Sequence, residues 1–138
     1  MPKQLKIFSD GGARGNPGPA AIGFLILSTT GQVLMTHSRY LGFRTNNQAE
    51  YEALIAALEA AVKLNAVEIT CHLDSQLVVK QVIGEYHVRN TELRKLWRKV
   101  QELSGSFKKA IFLSVPRTNS QIQKADLLVN NELDERFC

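Results

Sequence analysis

The sequence predicts a mixed α/β domain built on one five-stranded sheet, and three observations predict it. Three strand-like runs open the chain with short turns between them, the pattern of an antiparallel meander. Every later strand-like run is separated from its neighbour by helical periodicity, which implies parallel pairing through crossovers. A length of 138 residues, 44% hydrophobic and 22% charged, suits a single domain over 1–138 with its own core. The expected architecture is three antiparallel strands followed by parallel ones, with helices on the faces.

The first strand is expected at residues 4–10, where Leu5, Ile7 and Phe8 lead into Asp10. A second covers 20–28. Thr29, Thr30 and Gly31 then turn the chain into a third at 32–41. A helix follows at 47–65, because Tyr51, Leu54, Ile55, Leu58, Ala61 and Val62 recur at helical spacing. Asn46 or Asn47 suits its N-cap, which puts Glu50 in the first turn. The fourth strand, 67–73, ends at Asp74. Ser75 caps a short helix that runs through Ile83 and stops at Gly84. In a third helix, 91–104, the apolar stripe is Leu93, Leu96, Trp97, Val100 and Leu103, which makes Trp97 a core residue. A fifth strand is expected at 110–115. The last helix, 124–136, turns Ala125, Leu128, Val129 and Leu133 inward.

Composition excludes several classes. The longest apolar run, Ala20 to Leu27, is interrupted by Gly23 and is far short of the roughly 20 residues of a membrane span. The start has no signal-peptide core, so a cytoplasmic location is expected. The two cysteines, Cys71 and Cys138, have no metal-type spacing, and Cys71 reads as a small apolar residue in a strand. Net charge is +4, but residues 89–109 carry seven basic against two acidic side chains, so the remainder nets −1. That focus suits a polyanionic partner or, equally, a solvated helix face.

Asp10 and Asp74 each follow a strand. If those strands are parallel neighbours, their ends lie about 4.8 Å apart. Two carboxylates that close repel unless a proton or a cation lies between them, and oxygen-only ligands favour Mg²⁺ or Mn²⁺. Taken singly, Asp74, Glu50 and Asp126 read as helix-capping residues; it is the pairing of Asp10 with Asp74 that points to a cation. Five of the nine glycines fall between Gly11 and Gly23. This loop has no Gly-Lys-Ser/Thr, and a strand follows it, so it is neither a P-loop nor a dinucleotide fingerprint. It is either a turn needing positive φ or a place where a bulky backbone approaches Asp10.

Four stretches together resemble type 1 ribonuclease H. They are "SDGGARGNPGPAAIGF", "TNNQAEYEAL" (45–54), "LDSQLVVKQVIGEY" (73–86) and "VPR…KADLLVN" (115–130), in order along the whole chain. The resemblance implies a ribonuclease H-like fold and an endonuclease that cuts the RNA strand of RNA/DNA hybrids. It implies two Mg²⁺ or Mn²⁺ ions held by Asp10, Glu50, Asp74 and Asp126, with Asp10 shared. Glu50 acts near the attacking water, and the products carry 5′-phosphate and 3′-hydroxyl ends. Gly11 and Gly12 admit the RNA sugar-phosphate. Asn16, Asn46, Asn47, Gln48 and Gln76 match positions that sense 2′-hydroxyls and minor-groove edges. Ser75 belongs to the same motif as Asp74. Thr45 and Asn90, with Arg44 close by, match a pocket for a DNA-strand phosphate. The expected partner is hybrid duplex, with no membrane, no small-molecule cofactor and a monomeric protein.

The chain departs from the family in three ways. Only Tyr86, His87, Val88 and Arg89 separate the second helix from Asn90, so the basic handle of some relatives is absent, and the basic face of the 91–104 helix is expected to replace it in part. The loop before Asp126 lacks histidine; the three histidines are His37, His72 and His87. The stretch Thr118 to Lys124 reads as an elongated loop with Ile122 where asparagine is common, which leaves Asp134 as the alternative fourth carboxylate. A catalytically idle hybrid-binding module and a strand-transfer enzyme on the same fold are the competing readings. The four carboxylates argue against the first, and the glycine stretch with "TNNQAEYEAL" against the second.

Overall fold

The computed structural model describes residues 3–137, so Cys138 lies outside the described residues. The elements run β1 (Gln4–Ala13), β2 (Gly18–Ser28), β3 (Val33–Arg44), α1 (Asn46–Lys63), β4 (Glu68–Leu73), α2 (Gln76–Val82), α3 (Thr91–Ser104), β5 (Lys109–Ser114) and α4 (Ser120–Phe137). The sheet has the order β3-β2-β1-β4-β5. The first three strands pair antiparallel, and β1, β4 and β5 are parallel, as the meander and the crossovers predict. α1 packs on one face, with α3 against it, and α4 covers β1, β2 and β3 on the other. None of the described helices is long and apolar enough to cross a membrane.

Between α1 and the sheet lies the larger core, where Ile7, Ile22, Phe24, Tyr51, Leu54, Leu58 and Ile69 are sealed from water. Cys71 is buried there, as its strand position predicts. α1 buries six alanines on this face, Ala49, Ala53, Ala56, Ala57, Ala60 and Ala61. Small side chains let the helix lie close to the strands. Val62, expected to face inward, is exposed.

The start of α1 differs from expectation. Its N-cap is Thr45, not Asn46 or Asn47. Thr45 Oγ1 accepts from the Gln48 backbone N–H, and Gln48 Oε1 accepts from the Thr45 N–H. This capping box is written in the sequence as Thr-x-x-Gln. It moves Glu50 out of the first turn into the second.

β1 also runs further than expected. Its parallel ladder with β4 ends at Phe8 and His72, but its antiparallel ladder with β2 continues through Ala13. Asp10 therefore sits where β1 parts from β4, and not at the end of its strand. Gly11 and Gly12 are strand residues, and neither has the positive φ of a turn. α4 begins at Ser120, four residues before the expected start, because Asn119 Oδ1 accepts from the backbone N–H groups of Gln121 and Ile122. What reads as an elongated loop is the first helical turn. Ile122 lies in it, packed into a second core with Phe8, Leu25 and Ala125.

Candidate active site

Where β1 and β4 separate, a cleft of about 420 Å³ opens, and Asp10, Glu50, Asp74 and Asp126 all line it. The register that pairs Phe8 with His72 carries Asp10 level with Asp74, two residues on in each strand. Glu50 comes from the second turn of α1, and Asp126 from the second turn of α4. One carboxylate oxygen from each of Asp10, Glu50 and Asp74 lies within 4.8 Å of the others. Asp126 stands near enough to Asp10 to hold up its proton, and it also accepts at Oδ2 from Asn130 Nδ2 at 3.2 Å. Asp134 is not in the cleft. It is exposed and paired with Arg14 at 2.5 Å.

Two glycines allow the helices to deliver these carboxylates. A Cβ on Gly11 would lie 2.1 Å from the Ala49 carbonyl oxygen and 2.7 Å from the Glu50 nitrogen. Real side chains never approach so closely, so α1 reaches β1 only over a glycine. On the other face Gly23, the β2 partner of Asp10, would place a Cβ 2.6 Å from the Ala125 carbonyl oxygen. That contact seats the turn of α4 that bears Asp126. Gly11 is thus required by helix packing, which differs from both sequence-based readings of it. Gly12 meets only Val129 Cγ1, at an ordinary 3.8 Å, and it lines the cleft.

Electrostatics at the cleft are those of crowded acids. Asp10 is pushed up to about 7, first by burial and next by the neighbouring charge of Asp74. Glu50 is raised well above the usual carboxylate range, by burial and then by Asp10 and Asp74. Burial also raises Asp74, opposed by Arg117, whose Nε lies 3.7 Å from Asp74 Oδ2. Glu50 Oε1 accepts from the Gly11 N–H at 2.5 Å, on the side of β1 that β4 has left. Glu50 Oε2 is buried without a partner. An all-oxygen donor set, mutual repulsion and one orphaned buried carboxylate oxygen fit a hard divalent cation.

Around these acids the sequence-selected polar residues take four positions. Asn46, Asn47 and Ser75 line the carboxylate cleft. Asn16, Thr45, Gln48 and Asn90 line an adjoining cleft of about 300 Å³, and Asn47 borders both. Thr45 and Asn90 are the N-caps of α1 and α3, so two helix N-termini converge there. Asn16 Oδ1 accepts from the Asn46 N–H, and Asn46 Oδ1 from the Ala13 N–H, which ties the β1–β2 turn to α1. Arg44 lies away from this cleft. Its guanidinium is paired with Glu52 at 2.8 Å and lines a third recess. Gln76 is exposed and follows the cleft-lining Ser75. Arg117 and Gln123 also line the carboxylate cleft and were not singled out from the sequence. Arg117 was legible only as part of "VPR", and Gln123 only once α4 is known to start at Ser120.

Comparison with known proteins agrees with this geometry. Residues 8–131 match the family described as reverse transcriptase-like. The chain is 41% identical over 132 residues to ribonuclease HI of Halobacterium salinarum, covering 96% of this chain and 65% of that protein. It is 40% identical to the bifunctional protein Rv2228c of Mycobacterium tuberculosis, covering 95% of this chain and 36% of that protein. The chain thus spans about two-thirds and about one-third of these relatives' lengths. It superposes on the crystal structure of RNase H1 from H. salinarum with a TM-score of 0.91 and 39% identity, covering 96% of this chain and 98% of that one. It also superposes on LC11-RNase H1 in complex with RNA/DNA hybrid with a TM-score of 0.90 and 37% identity, covering 97% and 99%. With its sheet order, its carboxylate cleft and its sequence all in agreement, the chain belongs to the type 1 ribonuclease H family.

Proposed function

We propose that this chain is an endonuclease that hydrolyses the RNA strand of RNA/DNA hybrids, leaving 5′-phosphate and 3′-hydroxyl ends. The observation that carries the reading is the buried carboxylate trio of Asp10, Glu50 and Asp74, its donor atoms within 4.8 Å of one another, with Asp126 lining the same cleft. The family relationship supports the same reading, including the hybrid seen bound to LC11-RNase H1.

In this reading Asp10, Glu50, Asp74 and Asp126 would hold the two Mg²⁺ or Mn²⁺ ions the reaction calls for. Such ions, when bound, supply the positive charge that activates water and stabilises the leaving oxygen. Glu50, fixed through Oε1 by the Gly11 N–H, keeps a second, unpartnered oxygen that would serve an ion or the attacking water. Arg117 is almost fully exposed beside Asp74, and its guanidinium suits a phosphate oxygen of the scissile strand. Amides at Asn46 and Asn47 both donate and accept, which suits 2′-hydroxyls of the cut strand. The paired helix N-termini at Thr45 and Asn90 suit a phosphate of the opposite strand. The hybrid partner and the monomeric state belong to the proposal as well.

Incubation of the purified protein with Mg²⁺ and a hybrid labelled on its RNA strand tests this. Cleavage that chelator stops, and that Asp10→Asn lowers at least about a hundredfold, is expected. Intact RNA together with firm hybrid binding would replace the nuclease by an idle binding module.

A further inference from the structure

Between the end of α2 and the start of α3 the chain crosses in a short segment, residues 83–90, and a cavity of about 510 Å³ lies against it. The cavity shares no lining residue with the carboxylate cleft, the cleft between the helix caps or the recess of Arg44. One of its lining groups is a buried amide. Gln81 is 7% exposed, and the fully buried Tyr51 donates its hydroxyl to Gln81 Oε1 at 2.7 Å. That hydroxyl has no other acceptor among the described residues, so the amide oxygen is fixed toward Tyr51. The Gln81 backbone carbonyl accepts from Trp97 Nε1 at 3.0 Å. The side-chain group that remains is Nε2, a donor with no partner among the described residues. A buried donor left in this way is costly unless a ligand supplies an acceptor.

The walls carry complementary chemistry. Arg89 and Arg94 line the cavity, and no carboxylate among the described residues does. Neither guanidinium is in an ion pair among the described residues. Tyr86 and Trp97 add two aromatic rings. Trp97 packs on the core yet stays half-buried, with its N–H already committed to Gln81. Tyr86 is 48% exposed, but it is held. Gly84 turns the chain at φ 90°, and the Tyr86 backbone N–H donates to the Lys80 carbonyl at 3.1 Å. Lys80 Nζ stands 5.0 Å over the Tyr86 ring. One face of the ring is thus occupied, and the other is left to a planar partner.

Unpaired guanidiniums select a phosphate through forked donation. Fixed aromatic rings select a planar ring. A lone amide donor suits a ring nitrogen or carbonyl. One ligand class carries all three groups. We infer that this cavity binds a nucleotide with a terminal phosphate, either a free nucleoside monophosphate or the 5′-phosphorylated end of a strand. Arg89 and Arg94 take the phosphate, Tyr86 stacks on the base, and a base acceptor receives the Gln81 Nε2 hydrogen. The site is independent of the nuclease reading, and its test uses neither hybrid nor divalent ion.

Trp97 is the only tryptophan of the chain, so tryptophan fluorescence reports on this cavity. The full chain, in chelator, is titrated with deoxyadenosine monophosphate, deoxyadenosine, inorganic phosphate, and tetradeoxyadenylate with and without a 5′-phosphate. A saturable change with a Kd below about 1 mM is expected for the monophosphate or the phosphorylated strand. Deoxyadenosine and inorganic phosphate are each expected to bind at least about tenfold more weakly. The tighter of the two phosphorylated ligands identifies the source. Tyr86→Leu and Arg89→Ala, at exposed positions, are each expected to weaken binding about five- to tenfold. No saturable binding of either phosphorylated ligand below about 1 mM, or affinities unchanged in both variants, would overturn the inference. So would a tetranucleotide that binds equally well without its 5′-phosphate, which marks a general backbone contact. A protein that binds the nucleotide yet leaves hybrid intact in Mg²⁺ would keep this site and overturn the nuclease reading alone.

Discussion

Gly11 and Gly12 are neighbours of the same type with different reasons to be glycine. A methyl at Gly11 would overlap the Ala49 carbonyl, and neither strand nor helix backbone yields easily. Gly11→Ala is therefore expected to cost about 3 kcal/mol or more, read from the urea midpoint. A methyl at Gly12 meets only Val129 at contact distance. Gly12→Ala is expected to leave stability within about 1 kcal/mol and to lower cleavage, because the added methyl narrows the cleft. Asp10 has the opposite balance of function and stability. Burial, and next the neighbouring charge of Asp74, oppose its ionisation, so Asp10→Asn is expected to abolish cleavage while stabilising the metal-free protein by about 1–2 kcal/mol at neutral pH.

At the scale of an element, α4 carries the least predictable part of the site. Its early start depends on the Asn119 side chain, and its seat on the sheet depends on Gly23. Asn119→Ala removes a cap worth about 1 kcal/mol and loosens the turns that precede Asp126. The expected result is a comparable loss of stability together with a fall in activity that higher Mg²⁺ partly restores. Asp134, on the outer part of the same helix, pairs with Arg14 in water. Asp134→Asn is expected to change stability by less than about 1 kcal/mol and activity not at all, which separates it from Asp126→Asn in one assay.

The whole molecule gathers acid at one end of its sheet, and its stability should register that. Asp10 has a folded pKa of about 7 against an ordinary 3.8, and Glu50 and Asp74 are raised as well. A carboxyl whose pKa is raised by folding contributes stability that is complete below its unfolded value and is lost as pH climbs through its folded value. For Asp10 that window runs from about pH 4 to about pH 7, over which metal-free protein is expected to lose stability, and Glu50 and Asp74 act in the same direction. Divalent ion binds the deprotonated cluster, so Mg²⁺ is expected to raise Tm at pH 8 and to do so much less at pH 5. A Tm rise of equal size at both pH values would contradict the carboxylate cluster as the binding site. Across the surface, the basic run from Arg89 to Lys109 borders the cleft at Asn90. Hybrid affinity is expected to fall steeply with salt, and Arg94→Ala with Lys95→Ala to make that slope shallower.

Much of this protein is decided by patterns only a few residues long. Period-two and period-3.6 runs place every strand and helix, α3 to the residue, because burial on one face must follow the geometry of the chain. Asp10 and Asp74 could be paired from sequence because parallel neighbours carry equivalent positions level with one another. The start of α1 was also local, written in Thr45 and Gln48, although the neighbouring asparagines offered equally good caps. Three-dimensional packing settled the rest. No local pattern tells that Gly11 answers to Ala49 and Gly23 to Ala125, since those pairs meet only when helices from distant stretches press on the sheet. Nor does the sequence reveal that β1 leaves β4 at Phe8 yet stays with β2, which opens the cleft. Arg44 reads as a phosphate ligand until Glu52, in the second turn of α1, takes its charge. Local segments choose their own conformation, but a site drawn from both faces of a sheet exists only where close packing lets those segments meet.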